Sequence, residues 1–214
     1  TVLIDTSPDF RLQCASAEVK RLDAVLYTHD HADQTHGIDD LRVFAGRMRR
    51  RIDCYADRNT RDLLERRFRY VFEGELGYPA VAQMHDLPEL GRAFTISGPS
   101  GEVPVTTFHQ VHGDIDSVGY RLGPVAYSSD VNAIAEDVLE RLQGIELWIV
   151  DALRWTPHVS HAHVDLALEW IARVKPARAV LTNLHIDLDY ETLRRSLPEG
   201  VEPAYDGWRA VLPL

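Results

Sequence analysis

Apolar runs of strand length recur along the chain at TVLID (1–5), LDAVLY (22–27), IDCYA (52–56), AFTIS (93–97), VPVTTF (103–108), SVGYRL (117–122), PVAYSS (124–129), LWIVDA (147–152) and ARAVLTNL (177–184). Their Val, Ile, Tyr and Thr content favours strands over buried helix. Between them, 37–50, 59–72, 134–142 and 164–174 carry apolar residues at three- and four-residue steps among Arg and Asp, the pattern of helices covering a sheet face. YRLGPVAY and AYDGWRAV each join two apolar stretches across a turn pair, Gly123-Pro124 and Asp206-Gly207, and predict hairpins. Glycines and prolines at 74, 77, 79, 88, 91, 98 and 99 make 74–104 read as loop with one short strand. Strands alternating with helices, with hairpins mixed in, predict an α/β fold whose sheets are at least partly antiparallel.

With 214 residues, 45% of them hydrophobic and 26% charged, the chain can bury one substantial core, and a single domain over 1–214 is expected. A formal charge of -10 offers no global field to a nucleic acid polymer or an anionic membrane, so a phosphate-bearing partner must be held by a local cation. Cys14 and Cys54 are too few for a four-cysteine zinc site or a disulfide framework and fit a reducing cytosol, so a cytoplasmic location is expected and any metal must rest on His and Asp.

Those residues are concentrated. Residues 27–40, YTHDHADQTHGIDD, hold three histidines and four aspartates directly after an apolar run. Other runs end likewise: VPVTTF in His109 and His112, PVAYSS in Asp130, LWIV in Asp151, ARAVLTNL in His185. In α/β sheets, functional groups collect beyond the strand ends, because a rigid strand fixes where the next loop begins. His29 and His31, two residues apart, point to one side of an extended loop, whereas on a helix they would diverge by roughly 200°. Imidazoles joined by a carboxylate suit zinc, manganese or iron better than magnesium. His85, Asp9, Asp23, Asp39 and Asp40 are read as ordinary surface groups, turn formers and helix-dipole partners.

HDHAD after a strand, then a His, a Ser-Asp and a C-terminal His, resembles the metallo-β-lactamase superfamily, whose pattern is His-x-His-x-Asp-His. Within it the likeness is to phosphodiesterases of the PhnP type, and it runs through LIDTSPDFR, HDHAD, VHGDIDSVGY, AYSSD, WIVDAL, SHAHVDL, AVLTNLH and AYDGW. The resemblance implies a four-layer αββα sandwich, here without the first hairpin that precedes TVLID in relatives. It implies that His29, His31 and His112 hold a first metal, that Asp130 bridges, and that Asp33 holds a second, so that one or two zinc or manganese ions are expected. Gln34 and Asn183 stand where relatives carry histidine ligands, which weakens the second position; His36 and His185, each two residues on, are the candidate replacements, His185 being favoured. SHAHVDL carries the family's catalytic histidine, assigned to His161 with His163 in reserve. The activity implied is hydrolysis of a small cyclic-phosphate or nucleotide-like ester by metal-activated water, His161 protonating the leaving alkoxide and Asp33 serving as base if one ion is present. A thioester, lactone or β-lactam hydrolase on the same fold is the rival, and a non-catalytic protein with a decayed second site is the third reading.

Overall fold

The computed structural model describes residues 1–212. Its contacts gather in two compact units, Thr1–Glu89 with Phe94–Val103 and Leu90–Ala93 with Pro104–Leu214. Each unit has its own sheet and core, and the expected α/β class is found.

The first unit alternates strand and helix: β1 (Val2–Ile4), α1 (Phe10–Ser16), β2 (Ala24–Leu26), α2 (Ala32–Thr35), α3 (Leu41–Met48), β3 (Ile52–Ala56), α4 (Arg58–Arg67), α5 (Arg69–Glu73), β4 (Ala82–Asp86) and β5 (Phe94–Gly98). The first four strands lie in the order β1-β2-β3-β4, all parallel, with Val2 opposite Ala24, Ala24 opposite Asp53 and Ile52 opposite Ala82. Parallel neighbours need crossover connections, which α1, α3 and α4 supply. Phe10, Leu22, Val25, Tyr27, Leu41, Phe44, Ile52, Cys54 and Leu64 close the core between sheet and helices. Cys14 and Cys54 are free and buried.

In the second unit follow β6 (Gly101–His112, beginning in the first unit), β7 (Ile115–Leu122), β8 (Val125–Ser128), α6 (Glu136–Arg141), β9 (Leu147–Asp151), α7 (Val164–Val174), β10 (Arg178–Thr182), α8 (Tyr190–Ser196) and β11 (Val201–Pro203). The strands are ordered β11-β10-β9-β8-β7-β6. β6–β7 and β7–β8 are antiparallel hairpins, the second turning at Gly123-Pro124 as expected. From β8 to β11 the pairing is parallel. Buried Val164, Ala167, Trp170, Ile171 and Val174 give α7 one apolar stripe, packed in a core with Trp148, Val150 and Leu181.

Several sequence expectations need correction. The span 74–104 holds more than one short strand: β4, β5 and the start of β6 lie in it. β4 reads AQMHD, too polar to register as an apolar run, and Ala82 is its only buried residue. The helix expected over 59–72 breaks at Phe68, whose φ of -121° and ψ of 39° leave the helical region. Asp206-Gly207 is a turn, but no strand follows it through residue 212. α1 escaped the pattern because only Phe10 and Cys14 are buried along it. No helix of the described residues is long and apolar enough to cross a membrane.

Gly119 in β7 sits in tight packing: a Cβ there would lie 2.0 Å from Phe108 Cε2 and 2.5 Å from Gln110 Oε1. Gly119→Ala should therefore destabilise the fold by about 1–3 kcal/mol, the usual range for overpacking. Urea unfolding of the two proteins measures it; equal midpoints would mean that Phe108 and Gln110 move aside freely.

Candidate metal-ligand clusters

In the first unit β2 ends at Leu26 and the chain runs on through Thr28 to His29. Asp5, just past β1, takes a left-handed conformation (φ 59°), which Asp tolerates better than most residues. This turns its buried carboxylate onto Thr28, accepting from the backbone N–H at 2.8 Å and from the hydroxyl at 2.8 Å. That hydroxyl has one proton and gives it to Asp5. Its 2.9 Å contact with His29 Nδ1 must therefore be donated by the ring, leaving the lone pair of a neutral His29 on Nε2. His31 lies beside His29, ring centroids 4.6 Å apart at 72°. The loop is clamped by Arg67 at the end of α4, which pairs with the Asp30 carboxylate at 2.6 Å and donates to its carbonyl at 2.7 Å. Asp33 is exposed in the first turn of α2 and accepts from Gln34 Nε2 at 3.3 Å. His36, at the C-cap of α2, sets its ring edge-on to Phe68 at 5.7 Å.

In the second unit a tight turn at Gly113, with φ 66°, follows β6 and would bring any Cβ to 2.9 Å from Ser160 Cβ. Ser160 is thereby close enough for its carbonyl oxygen to meet His112 Nδ1 at 2.7 Å. A carbonyl oxygen only accepts, so His112 also carries its proton on Nδ1. Its Nε2 lies 3.6 Å from Asp130 Oδ2. Asp130 follows β8 in the left-handed region (φ 53°); its other oxygen accepts from Ser129 Oγ at 2.6 Å and from the Asn183 amide at 3.3 Å.

His161 faces His112 with ring centroids 4.7 Å apart. Its Nδ1 meets Asp151 Oδ2 at 2.9 Å, and the same oxygen accepts from the Val131 N–H at 3.1 Å. Asp151, the last residue of β9, is fully buried, and its Oδ1 has no hydrogen-bond partner among the described residues. Burial pushes this carboxyl up, opposed by the hydrogen bonds from His161 and Val131. His158, 5.2 Å from the His161 ring, is held below the usual histidine range by partial burial and by the positive fields of His161 and Arg154.

Within its unit, then, His112, Asp130, His161 and Asn183 come together. His163 is instead the N-cap residue of α7, bridged to Arg154. His185 is exposed and turned onto Asp187, 3.2 Å from its carboxylate. Asp5, Thr28, Ser160 and His158 escaped the sequence reading. A carbonyl oxygen leaves no mark in residue type, while His158, one of three histidines in HVSHAH, was visible but not weighed.

A family described as "Beta-lactamase superfamily domain" matches residues 1–186. A protein named octanoyltransferase from Porphyromonas gingivalis is 32% identical over 216 residues, covering 99% of this chain but 42% of that protein, so the chain spans about two fifths of that relative's length. Among solved structures, a diphosphatase of the PhnP family is 32% identical with a TM-score of 0.89, matching 100% of this chain and 80% of that one. The metallo-β-lactamase fold protein YhfI from Bacillus subtilis, at 17% identity, TM-score 0.77 and coverage of 97% and 85%, speaks to the fold alone. The sandwich fold and the likeness inferred from HDHAD and its companion motifs are both borne out.

The hydrogen-bond partners set a directly observable property. At pH 8, two-dimensional ¹⁵N NMR should find His29 and His112 protonated on Nδ1; a proton on Nε2 of either ring would refute the arrangement described.

Proposed function

We propose that this chain, which belongs to the metallo-β-lactamase superfamily as a PhnP-like hydrolase domain, hydrolyses a phosphodiester or diphosphate ester with the help of a divalent ion. The observation that carries the reading is the cluster of the second unit, where a His–Asp pair suited to a metal adjoins a second His–Asp pair suited to proton transfer.

The residues fit a metal. His112 Nε2 and Asp130 Oδ2, at 3.6 Å, are too far apart for a good hydrogen bond. Two ligands about 2.0–2.2 Å from a tetrahedral zinc lie about 3.4 Å apart, close to that separation. His112 and His29 each donate Nδ1–H to a neighbouring acceptor, the arrangement that fixes ring orientation and raises the basicity of the other nitrogen. In our reading His112 and Asp130 are ligands of a zinc or manganese ion, and the family pattern assigns His29 and His31 to the same first ion and Asp33 to a second, weaker one. Asn183 supports Asp130 as a donor, and the contacts of His36 and His185 lie with Phe68 and Asp187.

An ion so held supplies positive charge for the phosphoryl oxygens and acidifies water, the chemistry that lets a chain of charge -10 handle an anionic ester. The chain's own residues do the rest. Asp151 accepts Nδ1–H of His161 and stabilises the imidazolium, so Nε2 can protonate the alkoxide as the phosphorus–oxygen bond breaks. The partial burial of His158 and the neighbouring positive fields disfavour a second cation beside it. A thioester hydrolase is the second reading, favoured by the octanoyltransferase name of a 32% identical relative.

Two measurements test this. His112→Ala should lose bound metal, whereas His161→Ala should keep its metal and lose about 10²- to 10⁴-fold in turnover of bis(p-nitrophenyl) phosphate. Equal loss of metal in both variants would make His161 a ligand. Turnover of octanoyl thioesters without phosphodiester cleavage would favour the second reading.

A further inference from the structure

The sequence GRMRRR (46–51) plays no part in the clusters above, yet it borders a cavity of the first unit. That cavity, about 460 Å³, is lined by Arg42, Arg49, Arg50 and Arg51 together with Gly46, Tyr78 and a short apolar wall that includes Pro79 and Val81. No acidic side chain lines it. Its volume falls within the range of about 300–1,000 Å³ usual for small-molecule sites. Arg42 is engaged by Asp39, and Arg50 reaches Asp53 at 3.4 Å and Asp23 at 3.6 Å. Arg49 and Arg51 are in no ion pair among the described residues. Two arginines without an ion pair among the described residues thus line a concave surface.

Basic residues near the end of α3 also suit the helix dipole. That accounts neither for Tyr78, 74% exposed and lining the cavity, nor for Gly46. Gly46 sits inside α3, where glycine is disfavoured, and a Cβ there would meet no heavy atom within 4 Å. The fold leaves room for a side chain at that point, and a side chain would occupy the cavity.

The cavity is also remote from His29 and His31. Arg50 donates to the Leu22 carbonyl just before β2, and Arg51 directly precedes β3. The histidines lie past the other end of β2. From Leu22 to His29 is seven residues of nearly extended chain, on the order of 20 Å at about 3.3 Å per residue.

We propose that this arginine cavity is a second binding site, for a nucleoside phosphate, with the phosphates on Arg49 and Arg51 and the base against the Tyr78 ring. Guanidinium forks match phosphate oxygens, and an aromatic face accepts any base by stacking. The site is independent of the hydrolytic reading.

Calorimetric titration of the whole chain with ADP at low salt tests it, with adenosine, pyrophosphate and a single-stranded RNA 10-mer as separate probes. ADP should bind more tightly than adenosine or pyrophosphate. The double variant Arg49→Ala/Arg51→Ala and the cavity-filling Gly46→Phe should each weaken ADP at least tenfold, and Gly46→Phe should unfold at no lower temperature than the parent. Neither should alter metal content or phosphodiester turnover. With metal removed by chelation so that the hydrolytic site is silent, His112→Ala should bind ADP as the parent does. The proposal is overturned if millimolar ADP does not bind, if His112→Ala abolishes the binding while the cavity variants do not, if pyrophosphate binds as well as ADP, or if only the RNA binds.

Discussion

A histidine ring that meets an atom with only lone pairs to offer must bring its own proton. The Ser160 carbonyl, 2.7 Å from His112 Nδ1, imposes that condition on His112. The Thr28 hydroxyl, its single proton already given to Asp5, imposes it on His29. In each neutral ring the other nitrogen becomes the one with a lone pair. The same contact orients the ring, so the supporting acceptor decides both the direction and the chemistry of the ligand. His161 is held differently: a buried carboxylate, not a neutral oxygen, meets its Nδ1. A carboxylate stabilises the charged ring, which is what a proton donor needs. The contrast between neutral oxygen and carboxylate behind otherwise similar imidazoles is consistent with the different roles proposed for them, although carboxylates also support metal-bound histidines.

The backbone places these supports with little freedom. Asp5, Asp130 and Asn183, each within two residues of a strand end, adopt left-handed φ values of 59°, 53° and 60°. Such a conformation reverses the chain abruptly and turns a side chain back toward the sheet edge, and Asp and Asn bear it at lower cost than branched residues. Strained positions of this kind cluster where geometry is functional. The strands behind them are anchored by packed cores, around Tyr27 and Ile52 in one unit and Trp148 and Leu181 in the other, so a shift at the strand ends would disturb buried apolar contacts. Gly113 acts at a second level, its turn admitting Ser160 so closely that a Cβ would crowd it.

Much of this was legible in the sequence, and for physical reasons. IDCYA and VDLALEWIARV match β3 and α7 because their apolar spacing repeats at the period of the element they form. HDHAD, AYSSD and SHAHVDL pointed to the histidines and Asp130 because several strand ends carry ligand-type side chains at once, which chance placement of single surface groups does not produce. The family motif led to His161 with His163 in reserve; in the structure His161 meets Asp151, while His163 begins a helix. Less legible were β4, whose exposed face is polar, and the break at Phe68, where no glycine or proline announces a helix end. Hydrogen bonds to backbone oxygens, such as Ser160, were invisible altogether, because every residue has one.

The central claim is the proposal that the His112 imidazole and the Asp130 carboxylate, 3.6 Å apart, bind one divalent ion. Crystals of the chain grown with zinc, measured above the zinc absorption edge, test it most directly. The account predicts a strong anomalous peak bonded to Nε2 of His112 and to Asp130. A map in which zinc is absent from these two residues, or bound elsewhere with both turned away, would contradict it.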